Sequence, residues 1–254
     1  MFAYLIYIIA GLGAGIGTGL AGLSAAAVIS PMLITFLDFQ PYEAVGIALA
    51  SDVLASAVSA YTYGKNKNLD IKNGLVMLVT VLIFTFVGSY IATLVPGATM
   101  GNFSVFMTFF LGVKFIVKPV MTTKEAREEK SQKTKNIQSL LCGCIIGFIC
   151  GFIGAGGGMM LLLILTSVLQ YELKTAVGTS VFIMTFTALT GACSHFMMGG
   201  IPHFDALLAC VVATFAGARI AALFANKAEP KRLNQATGVV LTILGLAMII
   251  VKLF

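Results

Sequence analysis

The sequence predicts an all-α, polytopic membrane protein, and three observations carry that expectation. Of its 254 residues, 59% are apolar and a further 27 are glycine. Only 16 basic and 10 acidic residues, 10% of the chain, carry charge, where soluble domains average about 25%. A surface that lean excludes a soluble enzyme, and a mean hydropathy of +1.00 marks lipid as the main solvent. Thirdly, the apolar residues come in runs of bilayer length, without the ten-residue alternation of an outer-membrane barrel, so helices are the spanning elements. At about 20 residues per crossing the chain holds about 8–10 transmembrane segments.

The apolar runs cover 2–37, 43–63, 74–95 and 101–118, then 138–169, 175–198, 204–225 and 234–251. The first opens with MFAYLIYIIAG, which has no Lys or Arg ahead of it and no cleavage site, and so is expected to stay as a membrane segment rather than leave as a signal peptide. The one long polar stretch, 122–136, holds 8 of the charges and reads as a solvated linker. It divides the chain into a first transmembrane repeat, 1–118, a polar cytoplasmic linker, 119–137, and a second repeat, 138–254. Cys142, Cys144, Cys150, Cys193 and Cys210 all lie in apolar stretches, where a thiol acts as a small hydrophobe. Neither a disulfide framework nor a metal site is indicated, and no cofactor is expected. The basic pI of about 9.1 comes from residues in short connectors rather than from a sustained basic face, so nucleic acid is not an expected partner.

The halves look duplicated. An offset of 132 residues lays Gly11, Gly15, Gly19, Gly22 and Gly46 on Gly143, Gly147, Gly151, Gly154 and Gly178, and Ala44-Val45 on Ala176-Val177. Chance would give roughly 1.6 glycine coincidences in windows of this size. Charge then predicts the repeats' relative orientation. Lys65, Lys67 and Lys72 mark one connector as cytoplasmic, the linker's Lys124, Arg127, Lys130, Lys133 and Lys135 mark another, and Lys227, Lys231 and Arg232 a third, by the positive-inside rule. The equivalent of the first connector in the second half, GGIPHFD, has no Lys or Arg. Placing all three basic connectors inside requires an even number of crossings from 138 to 169, an odd number in each half, and hence inverted repeats with both termini outside; Lys252, outside on this assignment, runs against it. Run 138–169 suits a helix, a Gly-rich break and a short second helix.

The break is marked by Gly154-Ala155-Gly156-Gly157-Gly158. A helix restarting there offers unpaired N–H groups and a positive dipole end, an anion site built without a charged side chain; the alternative is that the glycines only permit close packing. For Gly11, Gly15, Gly19 and their counterparts, at GxxxG spacing, packing is the better reading. Thr179 and Ser180, early in an apolar helix, offer hydroxyls to a ligand or bond back to their own backbone. Ser24 stands beside the first break. Asp52 is the most deeply placed acid, and an intramembrane carboxylate is a functional candidate by default: a proton carrier for coupling, a hydrogen-bonded structural acid, or a substrate contact. His195 is a candidate anion contact or a packed imidazole. Arg219 is close enough to its connector to snorkel, and His203 and Asp205 are expected to be solvated.

On these residues the chain resembles the sulfite exporter TauE/SafE family of membrane permeases. The resemblance rests on GFIGAGGGMMLLLILTSVLQYELKTAVGTS (151–180), SHFMMGGIPHFDALL (194–208) and AGARIA (216–221), and spans roughly 4–252. It implies transport of small sulfur-containing or organic anions such as sulfite, sulfonates and sulfoacetate. The family's proline after the glycines appears here as Pro31 in the first half, where Leu23-Ser24-Ala25-Ala26 replaces the glycines, while Leu163 occupies the matching place in the second. Gly46-Ile47-Ala48 stands where the second half has Gly178-Thr179-Ser180.

The expected function is therefore a multi-pass secondary transporter of the cytoplasmic membrane. Its partners would be lipid and a small anion, with substrate contacts at Ser24, Gly154, Gly156, Gly157, Gly158, Thr179, Ser180 and His195 and proton coupling at Asp52. An anion channel is the rival within transport; a non-transporting membrane enzyme or assembly subunit is the rival outside it. Against an enzyme, the chain has no HExxH, no nucleophile elbow and no metal-ligand spacing.

Overall fold

A computed structural model of the chain describes residues 2–92, 109–110, 113, 116–117, 132–153, 157–199 and 202–253. The expected contacts Gly154 and Gly156, and linker residues 119–131, lie outside these. Among the described residues the chain is helical apart from short connectors, without strands. The helices are α1 (Phe2–Ala21), α2 (Ala26–Leu37), α3 (Pro41–Lys65), α4 (Ile71–Ala92), α5 (Gln132–Ile153), α6 (Gly157–Ser167), α7 (Leu173–Gly199), α8 (Phe204–Lys227) and α9 (Pro230–Leu253). Five of them, α1, α3, α4, α7 and α8, are long and apolar enough to cross a membrane. Large apolar side chains such as Phe86 (71% exposed) and Leu208 (67%) face outward, as a lipid-solvated surface requires. The chain is a multi-pass α-helical membrane protein.

Local chemistry sets the boundaries. Gly22 takes a left-handed φ of 63°, a conformation that costs glycine nothing, and it stops α1. Thr18 braces the stop, its hydroxyl 3.0 Å from Ala14 O and 2.8 Å from Leu23 O. Pro41 opens α3 at a position where its missing N–H costs no helical bond. Between α2 and α3 the chain turns through Asp38 at φ 53°, with Phe39 N–H donating to Leu33 O at 3.3 Å. The same turn recurs 132 residues on: Gln170 has φ 54°, and Tyr171 N–H donates to Leu165 O at 2.8 Å.

Helix pairing follows the same offset. α1 packs on α8, while α5, its counterpart, packs on α4. These contacts are close because glycine faces backbone: a β-carbon on Gly15 would stand 2.7 Å from Ala218 N, and one on Gly147 2.8 Å from Val81 Cα. Such small-residue seams let helices gain dispersion contacts in lipid, where no hydrophobic drive exists between them. α3 packs on its own counterpart, α7, and the pair runs antiparallel. Gly46, near the start of α3, lies against His195 near the end of α7, and Tyr63, near the end of α3, lies against Gly178 near the start of α7.

The two ends of the bundle differ in charge. At one, Asn68 Nδ2 donates to Asn226 Oδ1 at 2.8 Å, Lys174 Nζ donates to Asn226 O at 3.0 Å, and Tyr171 OH donates to Asp70 Oδ2 at 2.8 Å. This basic end thus gathers the connector holding Lys65, Lys67 and Lys72 with the one holding Lys227, Lys231 and Arg232. At the other end, Glu43 at the start of α3 meets His203 at the start of α8, close to Asp38 and Asp205 in sequence.

Candidate functional site

The first helix break meets the start of α6. A β-carbon built on Gly158, at the start of α6, would run into Gly22 O and stand 2.8 Å from Ser24 N and 2.6 Å from Met184 Sδ. A β-carbon on Gly22 would run into Ser180 Oγ. The first break, 22–25, therefore sits against the restart of the second-half helix and against α7. Gly157 points elsewhere, onto the Cys150 thiol of α5.

Two short helices begin at this junction, and each first turn has N–H groups without an i−4 partner. At α2, Ala25 caps without a side-chain bond, and Ala26 N–H donates to Ser24 Oγ at 3.3 Å. Facing this turn from α3 is Asp52, 1% exposed. Ser56 Oγ donates to its Oδ1 at 2.9 Å. Ser24 and the Ala25 N–H also face the carboxyl, but Oδ2 closes no well-formed hydrogen bond. At α6 the position equivalent to Asp52 is Met184, so this helix start meets a thioether instead of a carboxylate. The junction thus holds two helix N-termini, one with an acid built against it and one without, a geometry suited to holding an anion beside a group that can carry a proton.

Of the residues expected from sequence, Ser24, Gly158, Ser180 and Asp52 are drawn together here, while Gly157 faces Cys150. Ser180 is fully buried, and its hydroxyl donates to Val177 O at 2.8 Å, the back-bonding geometry of membrane serines. Thr179, one residue away, is used differently: its Oγ1 accepts from Asp70 N–H at 3.1 Å and ties the α3–α4 connector to α7. His195 lies about 22 Å from Ser180 along α7, its Nδ1 3.1 Å from Tyr42 O and its ring centroid 4.2 Å from that of Tyr42.

The His203–Glu43 pair was not foreseen. His203 N–H donates to Glu43 Oε1 at 2.8 Å and Nδ1 lies 2.6 Å from the same oxygen. The hydrogen bond and charge of Glu43 raise the imidazole above its ordinary value. Residues 160 positions apart carry no sequence signal for such a contact. Ser56, also missed, had one, since it stands four residues after Asp52 on the same helix face. Among the described residues no three His, Cys, Asp or Glu side chains gather as a metal site.

A family model described as sulfite exporter TauE/SafE matches residues 7–248. The chain is similar to the probable membrane transporter protein YunE of Bacillus subtilis (strain 168), 25% identical over 99% of each chain. It is also similar to the probable membrane transporter protein MJ0441 of Methanocaldococcus jannaschii, 24% identical over 96% of this chain and 95% of that one, and to the Bacillus subtilis protein YdhB, likewise named a probable membrane transporter, at 21% over 92% and 96%.

Proposed function

The chain belongs to the sulfite exporter TauE/SafE family, and we propose that, as a membrane transporter, it carries small sulfur-containing or organic anions such as sulfite, sulfonates or sulfoacetate across the cytoplasmic membrane. The observation that carries this reading is the contact of Gly158 with Gly22 and Ser24. The start of α6 lies against the first break and offers first-turn N–H groups without an i−4 partner to a ligand, while those of α2 are already bonded to Ser24 and Ala25. The anion is held at the start of α6 by Gly157 and Gly158, with Gly154 and Gly156 just before them in sequence, and by Ser24 and Ser180 from the facing elements. Thr179 serves the site through the Asp70 connector, and His195 serves its approach from the acidic end.

Asp52 is the coupling acid. It faces the anion site across Ser24, so its charge opposes a bound anion and its protonation relieves that opposition. The architecture is two inverted repeats, 1–118 and 138–254, joined by the 119–137 linker, and the antiparallel pairing of α3 with its counterpart α7 supports this. The basic end faces the cytoplasm.

Proteoliposomes test the reading. Purified protein should accumulate at least one labelled anion from a panel of sulfite, thiosulfate, sulfate, sulfoacetate, acetate and chloride, with saturation. No flux above protein-free vesicles for every member would reject it.

A further inference from the structure

On α3, Asp52, Ser56, Ser59 and Tyr63 fall within an arc of about 60°, and all four are buried, Ser56, Ser59 and Tyr63 fully. Two atoms on this stripe lack a hydrogen-bond partner, Asp52 Oδ2 and Ser59 Oγ. They lie seven residues apart, about 10 Å along the axis, too far to satisfy each other. Ser56 stands between them, already bonded to Asp52 Oδ1. At the basic end Tyr63 closes the stripe, its OH donating to Gly19 O at 2.9 Å. The corresponding positions of α7 are Met184, Ala188, Gly191 and His195, so the second half has no hydroxyl stripe next to its break.

Buried polar atoms without protein partners call for water or an ion. We propose that Ser56 and Ser59 extend Asp52 into a file of hydroxyls and water that carries protons between its carboxyl and the basic end, with Tyr63 as the stopper. The proposal rests on Asp52 being the coupling acid. A proton leaving bulk water at the basic end is passed on as each hydroxyl or water accepts one proton and releases another. It ends on Oδ1, the oxygen to which Ser56 already donates, converting carboxylate to carboxylic acid, and the serines finish as they began.

Among the described residues no other charged side chain bonds to this acid. α1 and α2 contain no Asp, Glu, Lys, Arg or His. The charged groups of the neighbouring helices, Glu43 and Lys65 on α3, Lys174 and His195 on α7, and Asp205, Arg219 and Lys227 on α8, lie toward the helix ends, and the polar groups facing the carboxyl are Ser56, Ser24 and the Ala25 N–H.

The test needs no substrate. In infrared spectra of purified protein, the protonated-carboxyl band of Asp52 is identified by its loss in Asp52→Asn, and its shift is timed after transfer to heavy water. Ser59→Val and Ser59→Thr add nearly the same bulk, but only Thr keeps the hydroxyl. The file predicts exchange slowed at least about tenfold in Ser59→Val and held within about threefold of wild type in Ser59→Thr. Equal rates in the two variants would overturn it, as would the absence of any Asp52 carboxyl band between about pH 4 and about pH 9. Either failure would leave anion transport standing, because transport is judged separately by flux.

Discussion

Gly158 and Ser24, residues from opposite halves of the chain, touch through backbone: a β-carbon on the first would lie 2.8 Å from the amide nitrogen of the second. Any side chain at 158 must push the first break away from the start of α6, whereas one at 157 meets the tip of the Cys150 side chain, which can yield. A side chain at 158 would therefore separate the first break from the start of α6, which one at 157 would not.

The two adjacent hydroxyls of α7 separate by role. Thr179→Val removes the acceptor for Asp70 N–H and is expected to lower folding stability by about 1 kcal/mol with little change in anion affinity. Ser180→Ala, next to Gly22, is expected to weaken anion binding by about 1 kcal/mol, roughly fivefold, at nearly unchanged stability. Titration calorimetry and thermal unfolding of both variants check the split, and a reversed pattern would reassign them.

Asp52→Asn keeps the shape of the side chain and its bond to Ser56 while removing titration. Anion exchange between equal pools should persist, and uphill uptake driven by a pH gradient should fall to the background of protein-free vesicles. Undiminished pH-driven uptake would leave Asp52 as a structural acid.

The Glu43–His203 pair predicts a pH dependence at the acidic end. The imidazole is raised above 6.5 by its partner, so the pair's stabilisation is complete below about pH 6.5 and is lost as pH rises through the raised value. His203 is largely exposed, which keeps the effect small. Thermal unfolding should show Tm falling across that window in the wild type, and Glu43→Gln should flatten the fall.

Topology is decided by labelling. With the native cysteines removed, Lys231→Cys at the basic end should react with an impermeant thiol reagent only after the membrane is opened, and Gln40→Cys at the other end should react in intact cells. Labelling of Lys231→Cys in intact cells would invert the assignment.

The helices and breaks were legible because their causes are local. Run length fixes the spans and the glycines mark the interruptions, while the turns at Asp38 and Gln170, 132 residues apart, emerge from the structure. GxxxG spacing also told that Gly11, Gly15 and Gly19 would form a seam, although not that the seam would be with α8 of the other half. That pairing depends on chain return over some two hundred residues, for which one sequence holds no pattern. The same limit explains Thr179 and His195. Both were read as site residues from their chemistry, and no sequence pattern signals the contacts with Asp70 and Tyr42 that hold them at the two ends of α7.

Anion binding by purified protein carrying Gly158→Val tests the central claim, that ligand is held where the first break meets the start of α6, most directly. In thermal unfolding with the anion panel, at least one anion should raise the Tm of the wild type, by an amount growing with the logarithm of its concentration. The variant, folded by circular dichroism, should show no such rise at any concentration. An equal Tm rise in wild type and Gly158→Val would place the site elsewhere and contradict the account.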